Sequence, residues 1–268
     1  VTKIHFDYLE KHMYFVKTEV PEPLFRIELA DLLEKGHADR FVEQYGPVLK
    51  AMKPEVAATY FSLWFAWVCA ALQYTISHHD AAYNLSLHNL SGQVYLVDNR
   101  PRWAFHLHNS DSLSVPAGDR NEWRKHVLSS FYTEEVSPLL GSVAAVVGIS
   151  AGQLWGQLAT RLHYAYDTWQ KEAETAQLRH TIEEDFAFLR YGLAAEVFGR
   201  KKNPFDIQFR HIDNPRIPGE TLRIKASCCL AYLTDTGHGY CYSCPRMGEE
   251  ERMEQRMKIE ASLLLSGK

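Results

Sequence analysis

Cys228, Cys229, Cys241 and Cys244 place four of the chain's five cysteines within seventeen residues, in a C-C-x11-C-x2-C arrangement. Thiolates are soft, anionic ligands, and four of them in one short loop can enclose a metal centre. Three chemistries compete for the pattern. Structural zinc ordinarily takes two C-x2-C knuckles, each turning both thiolates towards one ion, and only Cys241 and Cys244 have that form. Adjacent cysteines on an extended backbone point to opposite faces. That suits a 2Fe–2S core, whose ligands are spread over two irons, better than a single tetrahedral ion. A redox-active C-x-x-C dithiol requires a thioredoxin-like βαβ pattern, and none surrounds it. Spacing alone puts the cluster ahead of zinc and leaves both open. The fifth cysteine, Cys69, lies in an apolar helical run and reads as a buried filler.

The charge around these cysteines differs from that of the whole chain. The 268 residues carry a formal charge of −4, yet residues 199–247 hold an excess of basic side chains, about +4 on a simple count. The common meaning of such a patch is a solvated surface. Beside an anionic metal centre, Arg223, Lys225 and Arg246 would also offset its charge, and the patch would steer anionic ligands towards it. No aromatic-interleaved basic module points to nucleic acid. With 46% hydrophobic and 23% charged residues, the composition is that of a globular protein. No leader-like segment opens the chain, so the expected setting is cytoplasmic, where cysteine clusters bind metal rather than form disulfides.

The elements that must position the thiols follow from periodicity. Helical spacing runs through residues 24–33, 41–52 and 56–76. The uncharged run 56–77 is long enough to span a membrane, but its polar residues and alanines predict a core helix and no membrane span. Residues 85–87, 93–97 and 102–107 predict a short antiparallel meander split at 99–101, followed by a polar loop over 111–120. Helices are expected over 121–139, 150–176 and 182–198. A basic run ending in Asn203-Pro204 marks a boundary between a body, 1–203, and a cysteine-bearing region, 204–268. That region should hold strands over 207–212 and 222–226 and a salt-bridged, solvated helix over 249–265. The fold class is α+β: mainly helical, with the meander in the middle and a small strand-plus-cysteine-loop region at the end.

Candidate ligand contacts lie on the meander and beside the cysteines: Arg102, Trp103, His106, Arg223 and Lys225. His106 and His108 share one face of a regular strand and Trp103 the other. His78, His79 and His238 read as capping or solvated residues. Gly148-Ile149-Ser150-Ala151-Gly152 matches the G-x-S-x-G elbow of serine hydrolases. Ser150 to Gln153 is equally a helix-capping box, and no strand–helix alternation supports a hydrolase sheet.

The cysteine pattern resembles that of the FhuF-like ferric-siderophore reductases. The segments YFSLWFAWVCAAL, GQVYLVDNRPRWAF and QLWGQLATRLHYAYDTW are similar to elements of that family and of the C-terminal halves of siderophore synthetases. The loop between the cysteine pairs, residues 230–240, is one residue longer than the family's ten, and Gly237 and Gly239 can absorb it. The resemblance implies a 2Fe–2S cluster on the four cysteines and one-electron reduction of a ferric siderophore of hydroxamate or citrate-hydroxamate type, with release of Fe(II). No nucleotide-binding glycine motif is visible, so an external donor such as a ferredoxin or flavoprotein reductase is expected.

Overall fold

The computed structural model describes residues 6–116 and 118–265. It is a mainly helical α+β protein. Helices α1 (Phe6–Met13), α2 (Lys35–Val48) and α3 (Glu55–His79) occur in the first third, together with strands β1 (Phe15–Val16) and β2 (Phe25–Glu28). Helix α3 is long and apolar enough to cross a membrane, but 72% of its most apolar window is buried inside the protein. It is the central core helix that its polar residues and alanines predict.

The helix expected over residues 24–33 is instead β2 followed by a 3₁₀ turn, Leu29–Leu33. Its apolar residues satisfy both periods, and pairing of Phe25–Glu28 with Ser91–Val94 decides for the strand. Strands β4 (Leu90–Val97) and β5 (Arg100–Leu107) form the hairpin. Its turn is Asp98-Asn99, both left-handed, rather than residues 99–101. The sheet order is β1-β5-β4-β2, with β1 parallel to β5, so the sheet is mixed and not a pure meander. Leu85 and Leu87 lie outside these strands, and Leu87 opens a 3₁₀ turn. The 111–120 loop contains a short strand, β6 (Ser112–Ser114), paired with β3 (Ala81–Tyr83).

One face of the sheet packs an aromatic core onto α2 and α3. Trp103 is fully buried, donates its indole N–H to the Tyr45 hydroxyl at 2.9 Å and meets Phe41 and Phe61. Gly92 makes room for it: a Cβ there would stand 2.5 Å from the indole. Trp103 is therefore a core residue, and the expectation that it contacts a ligand is corrected.

Helix α4 (Arg120–Ser130) continues through a π-helical turn, Phe131–Val136, into α5 (Ser137–Val146). Helix α6 (Ala151–Glu172) packs along α3, and α7 (Ala176–Ala187) covers both. Strands β7 (His211–Asp213) and β8 (Thr221–Arg223) are shorter than expected, while α8 (Glu249–Leu265) has the expected bounds. The hydrophobic core runs unbroken across the 203/204 boundary. Phe205 is fully buried against Tyr132, Trp155 and Phe198, and Cys228, Leu230, Cys244 and Met247 join the same cluster.

His163 of α6 helps to tie the tail to the body. It is buried and donates Nε2–H to the Phe205 carbonyl at 2.9 Å. Burial pulls its pKa from 6.5 down to about 4, although the Phe205 bond opposes this. His78, stacked on Tyr74 rather than solvated, is lowered in the same way. Between those pH values the unfolded chain takes up protons that the folded chain refuses. Stability is thus complete above pH 6.5 and declines as pH falls towards 4, by about 3 kcal/mol for His163 alone. Urea midpoints measured across that window should fall on acidification, and His163→Gln should remove a large part of the decline.

Candidate metal centre and adjoining cavity

The first cysteine pair is held by a polar stripe on α6 and one residue of α3. Thr160 Oγ1 accepts the Ala226 N–H at 3.1 Å, and Gln157 donates to the Ser227 carbonyl at 2.7 Å. Gln153 donates to the Cys228 carbonyl at 2.6 Å, and Thr59 to the Cys229 carbonyl at 2.8 Å. Each of four consecutive residues, 226–229, therefore has one backbone group fixed by a helix side chain. Gly156 lies beneath them, where a Cβ would meet Ser227 at 2.7 Å. Gln153, Gln157 and Thr160 recur at i, i+4 and i+7, on one helical face.

The second pair is held from the other side. Arg252 of α8 is only 4% exposed, and its guanidinium donates to the carbonyls of Tyr242, Cys244 and Met247. Gln255 donates to the Tyr240 carbonyl at 3.1 Å. The inward face of α8 thus clamps the Cys241–Cys244 turn, which corrects the reading of that helix as only a solvated charged surface. The intervening loop is pinned as well. Asp235 N–H donates to the Lys50 carbonyl at 2.8 Å, and Met52 N–H to the Leu233 carbonyl at 2.9 Å. Leu230 adopts φ +61° to turn the chain after Cys229.

These restraints bring the four thiols together two by two. Cys228 and Cys244 sulfurs stand 3.4 Å apart, and Cys229 is hydrogen-bonded to Cys241. Each sulfur also receives a donor. Leu230 N–H points at Cys228 and Arg246 N–H at Cys244, both at 3.4 Å, while the Ala231 backbone reaches Cys229. Lys225 Nζ lies 3.3 Å from the Cys241 sulfur. The Cys229 thiol and Lys225 hold Cys241 as a thiolate, well below its usual range, against burial. Burial would lower the Lys225 pKa, but the neighbouring cysteines outweigh it, so the ammonium stays charged. Among the described residues, no group of three or more His, Cys, Asp or Glu side chains is placed to hold one metal ion. The donor set is two thiol pairs, each sulfur presented as a hydrogen-bond acceptor. That arrangement fits a core carrying two metals with two thiolates on each.

A cavity of about 550 Å³ adjoins the cysteine loop, which contributes Thr234, Thr236 and His238 to its wall. Tyr14, Trp64 and Trp67 form an aromatic side, and Lys50, Arg100, Arg102 and Arg161 supply positive charge. Tyr60 belongs to both places. It lines the cavity, and its pKa is pushed up to about 12 by burial and by Cys229, Cys241 and Cys228 beyond it.

The predicted contacts divide accordingly. Arg102 lines the cavity and Lys225 touches a thiol. Arg223 is paired with Asp167 of α6 and stacks near Tyr164, so its charge is neutralised there. Arg246 donates to the Tyr232 hydroxyl at 2.6 Å. His106 lies outside the cavity, beside His108, which pairs with Glu28 at 3.0 Å. His238 is a cavity residue and not just a solvated loop histidine. Sequence reasoning missed Arg161, Gln153, Gln157 and Arg252; a buried polar stripe on an apolar helix was the available signal for the glutamines.

Ser150 is the N-cap of α6, accepting the Gly152 N–H at 3.1 Å. The apolar run before it is helix α5, so the strand–turn–helix context of a nucleophile elbow is not there. Gln153 does not close the capping box, because its amide reaches Cys228 instead. Cys69 is fully buried and burial pushes its thiol up, as expected of a filler. No protein-family model matches this chain, and no curated protein matches it either.

Proposed function

We propose that the protein is a ferric-chelate reductase in which Cys228, Cys229, Cys241 and Cys244 hold a 2Fe–2S cluster and the adjoining cavity receives a ferric siderophore. The observation that carries this reading is the sorting of four donor-supplied thiols into two pairs, 228/244 and 229/241, beside a cationic aromatic cavity. A four-thiolate 2Fe–2S centre, once bound, supplies single electrons at a potential tuned by hydrogen bonds, charge and solvent exposure.

The chain's own residues do the rest. The helix side chains on 226–229 and Arg252 on the second turn fix the ligand geometry before metal arrives, which lowers the cost of ordering it. Lys225 places a protonated ammonium against Cys241, opposing the negative charge that accumulates on reduction. Trp64 and Trp67 offer flat apolar surface to a chelate, and the basic residues attract its anionic groups. Tyr60 lines the cavity and feels the charge of the cysteines, so it stands at the boundary between a seated chelate and the thiols. One electron converts Fe(III) to Fe(II), which hard oxygen donors hold far less well, so the reduced metal leaves the chelate. An acidic or flavin-bearing protein outside this chain would supply that electron.

Anaerobically purified protein should be red-brown, contain iron and acid-labile sulfide in equal amounts, and give a rhombic EPR signal on reduction. Mixing the reduced form with ferric hydroxamates should bleach that signal and yield ferrous iron. A colourless protein with one zinc per chain would instead favour a metal-stabilised binding protein, the second reading open to four thiolates.

A further inference from the structure

The cavity is charged in one sense only. Lys50, Arg100, Arg102 and Arg161 line it, and among the described residues no aspartate or glutamate does. None of the four forms an ion pair with any described carboxylate.

Arg161 is the exception among the arginines of the core. Arg120 and Arg124 converge on Asp185, Arg223 on Asp167, and Arg252 on three carbonyls. Arg161 has no such partner. Its guanidinium lies 5.1 Å from the centre of the Trp67 ring, and its buried Nε–H has no acceptor. Burial lowers its pKa, opposed only by the phenols of Tyr14 and Tyr164. A half-buried cation held without a counter-charge is destabilising. Here the space where the counter-charge would stand is the cavity itself. The planar fork of a guanidinium matches a carboxylate bidentately, and the Trp67 ring beside it supplies a cation–π contact.

We infer that Arg161 is the anchor for an ionised carboxylate on the cavity's ligand, so that the site selects anionic, carboxylate-bearing chelates over neutral or cationic ones. This rests on the reading of the cavity as the chelate site. It narrows the substrate class to chelates of citrate-hydroxamate type that carry an ionised carboxylate outside the metal's coordination shell. Trihydroxamates without ionised groups, or with a free ammonium, would leave the guanidinium unpaired.

The test uses redox-inert gallium complexes, so binding is read apart from electron transfer. Three are titrated into the protein as isolated, following quenching of tryptophan fluorescence. They are a citrate dihydroxamate whose side arms carry uncoordinated carboxylates (anionic), a trihydroxamate without charged groups (neutral) and a trihydroxamate bearing an ammonium (cationic). The anionic complex should bind at least about tenfold more tightly than the neutral one. Arg161→Gln should cut that preference several-fold, weakening the anionic complex far more than the neutral one, and Arg161→Lys should restore part of it. Equal affinity for all three complexes in the unaltered protein would overturn the inference, as would an undiminished preference in folded Arg161→Gln. Failure of the underlying reading looks different. Protein that lacks iron and sulfide but still prefers the anionic complex refutes the reductase and leaves the anchor standing. Iron–sulfur protein that reduces all three ferric counterparts with the same KM refutes the anchor alone.

Discussion

Replacing Gly156 with valine is expected to give a folded, helical protein that holds far less of the proposed metal centre. Two effects oppose each other. A side chain in mid-helix recovers up to about 1 kcal/mol of helix propensity relative to glycine, somewhat less when β-branched. Against this, any Cβ at 156 would overlap Ser227, and overpacking of a filled site costs about 1–3 kcal/mol. The helix has partners all along α3 and will not move. The segment at 226–229, held by four side-chain hydrogen bonds, is the part that gives way. Its displacement pulls Cys228 from Cys244 and Cys229 from Cys241. A penalty of that size lowers metal affinity by roughly tenfold to a hundredfold. Iron per chain should therefore fall sharply while the far-ultraviolet circular dichroism stays near the parent's. Full iron content in Gly156→Val would mean that the close approach of α6 does not position the cysteines.

Asp185→Asn is expected to do the reverse, destabilising the body without touching the thiols. Asp185 is completely buried at the meeting of α3, α4 and α7. It accepts both terminal nitrogens of Arg120 at 2.8 Å and a further bond from Arg124. Burial would raise its pKa, but these two arginines outweigh it and hold the carboxylate below its usual range. Removing the charge leaves Arg124 without a counter-ion in the interior and Arg120 with Asp80 alone, which costs about 3–5 kcal/mol. Against a total stability of about 5–15 kcal/mol, that lowers the melting temperature by on the order of 10 °C. The acid limb should change too. A depressed carboxylate contributes fully above its unfolded pKa near 4 and loses the contribution as pH falls through the folded value. The amide of the variant has nothing to protonate, so its stability should be flatter below pH 4. A melting temperature within 2–3 °C of the parent's, a change too small for such a pair, would refute the network's role.

Where local chemistry decides structure, the sequence was a good guide. The apolar run at 56–77 had only a core helix to become, and α8 begins and ends where its charge pattern does. The four cysteines converge as their crowding suggests. Residues 24–33 were misread because a short apolar run fits either period until a partner strand settles it. The cavity was harder to foresee. Lys50, Arg102, Arg161 and His238 come from four distant segments, and only packing of the hairpin, α6 and the cysteine loop joins them. Trp103 was drawn into the candidate list by its position on the hairpin, although the face it occupies is filled by Phe41 and Phe61. Arg161 sits among helical residues with nothing in its neighbours to betray an unpaired charge.

The clamp that Arg252 places on the second cysteine turn has a consequence for the order of assembly. During synthesis the thiols at 241 and 244 leave the ribosome before the helix that shapes them, so the nascent chain has every ligand but not yet the mould. Were the proposed centre to be loaded, it would find shaped ligands only after α8 has formed. In a growing chain the last helix therefore completes the shape of the second cysteine turn.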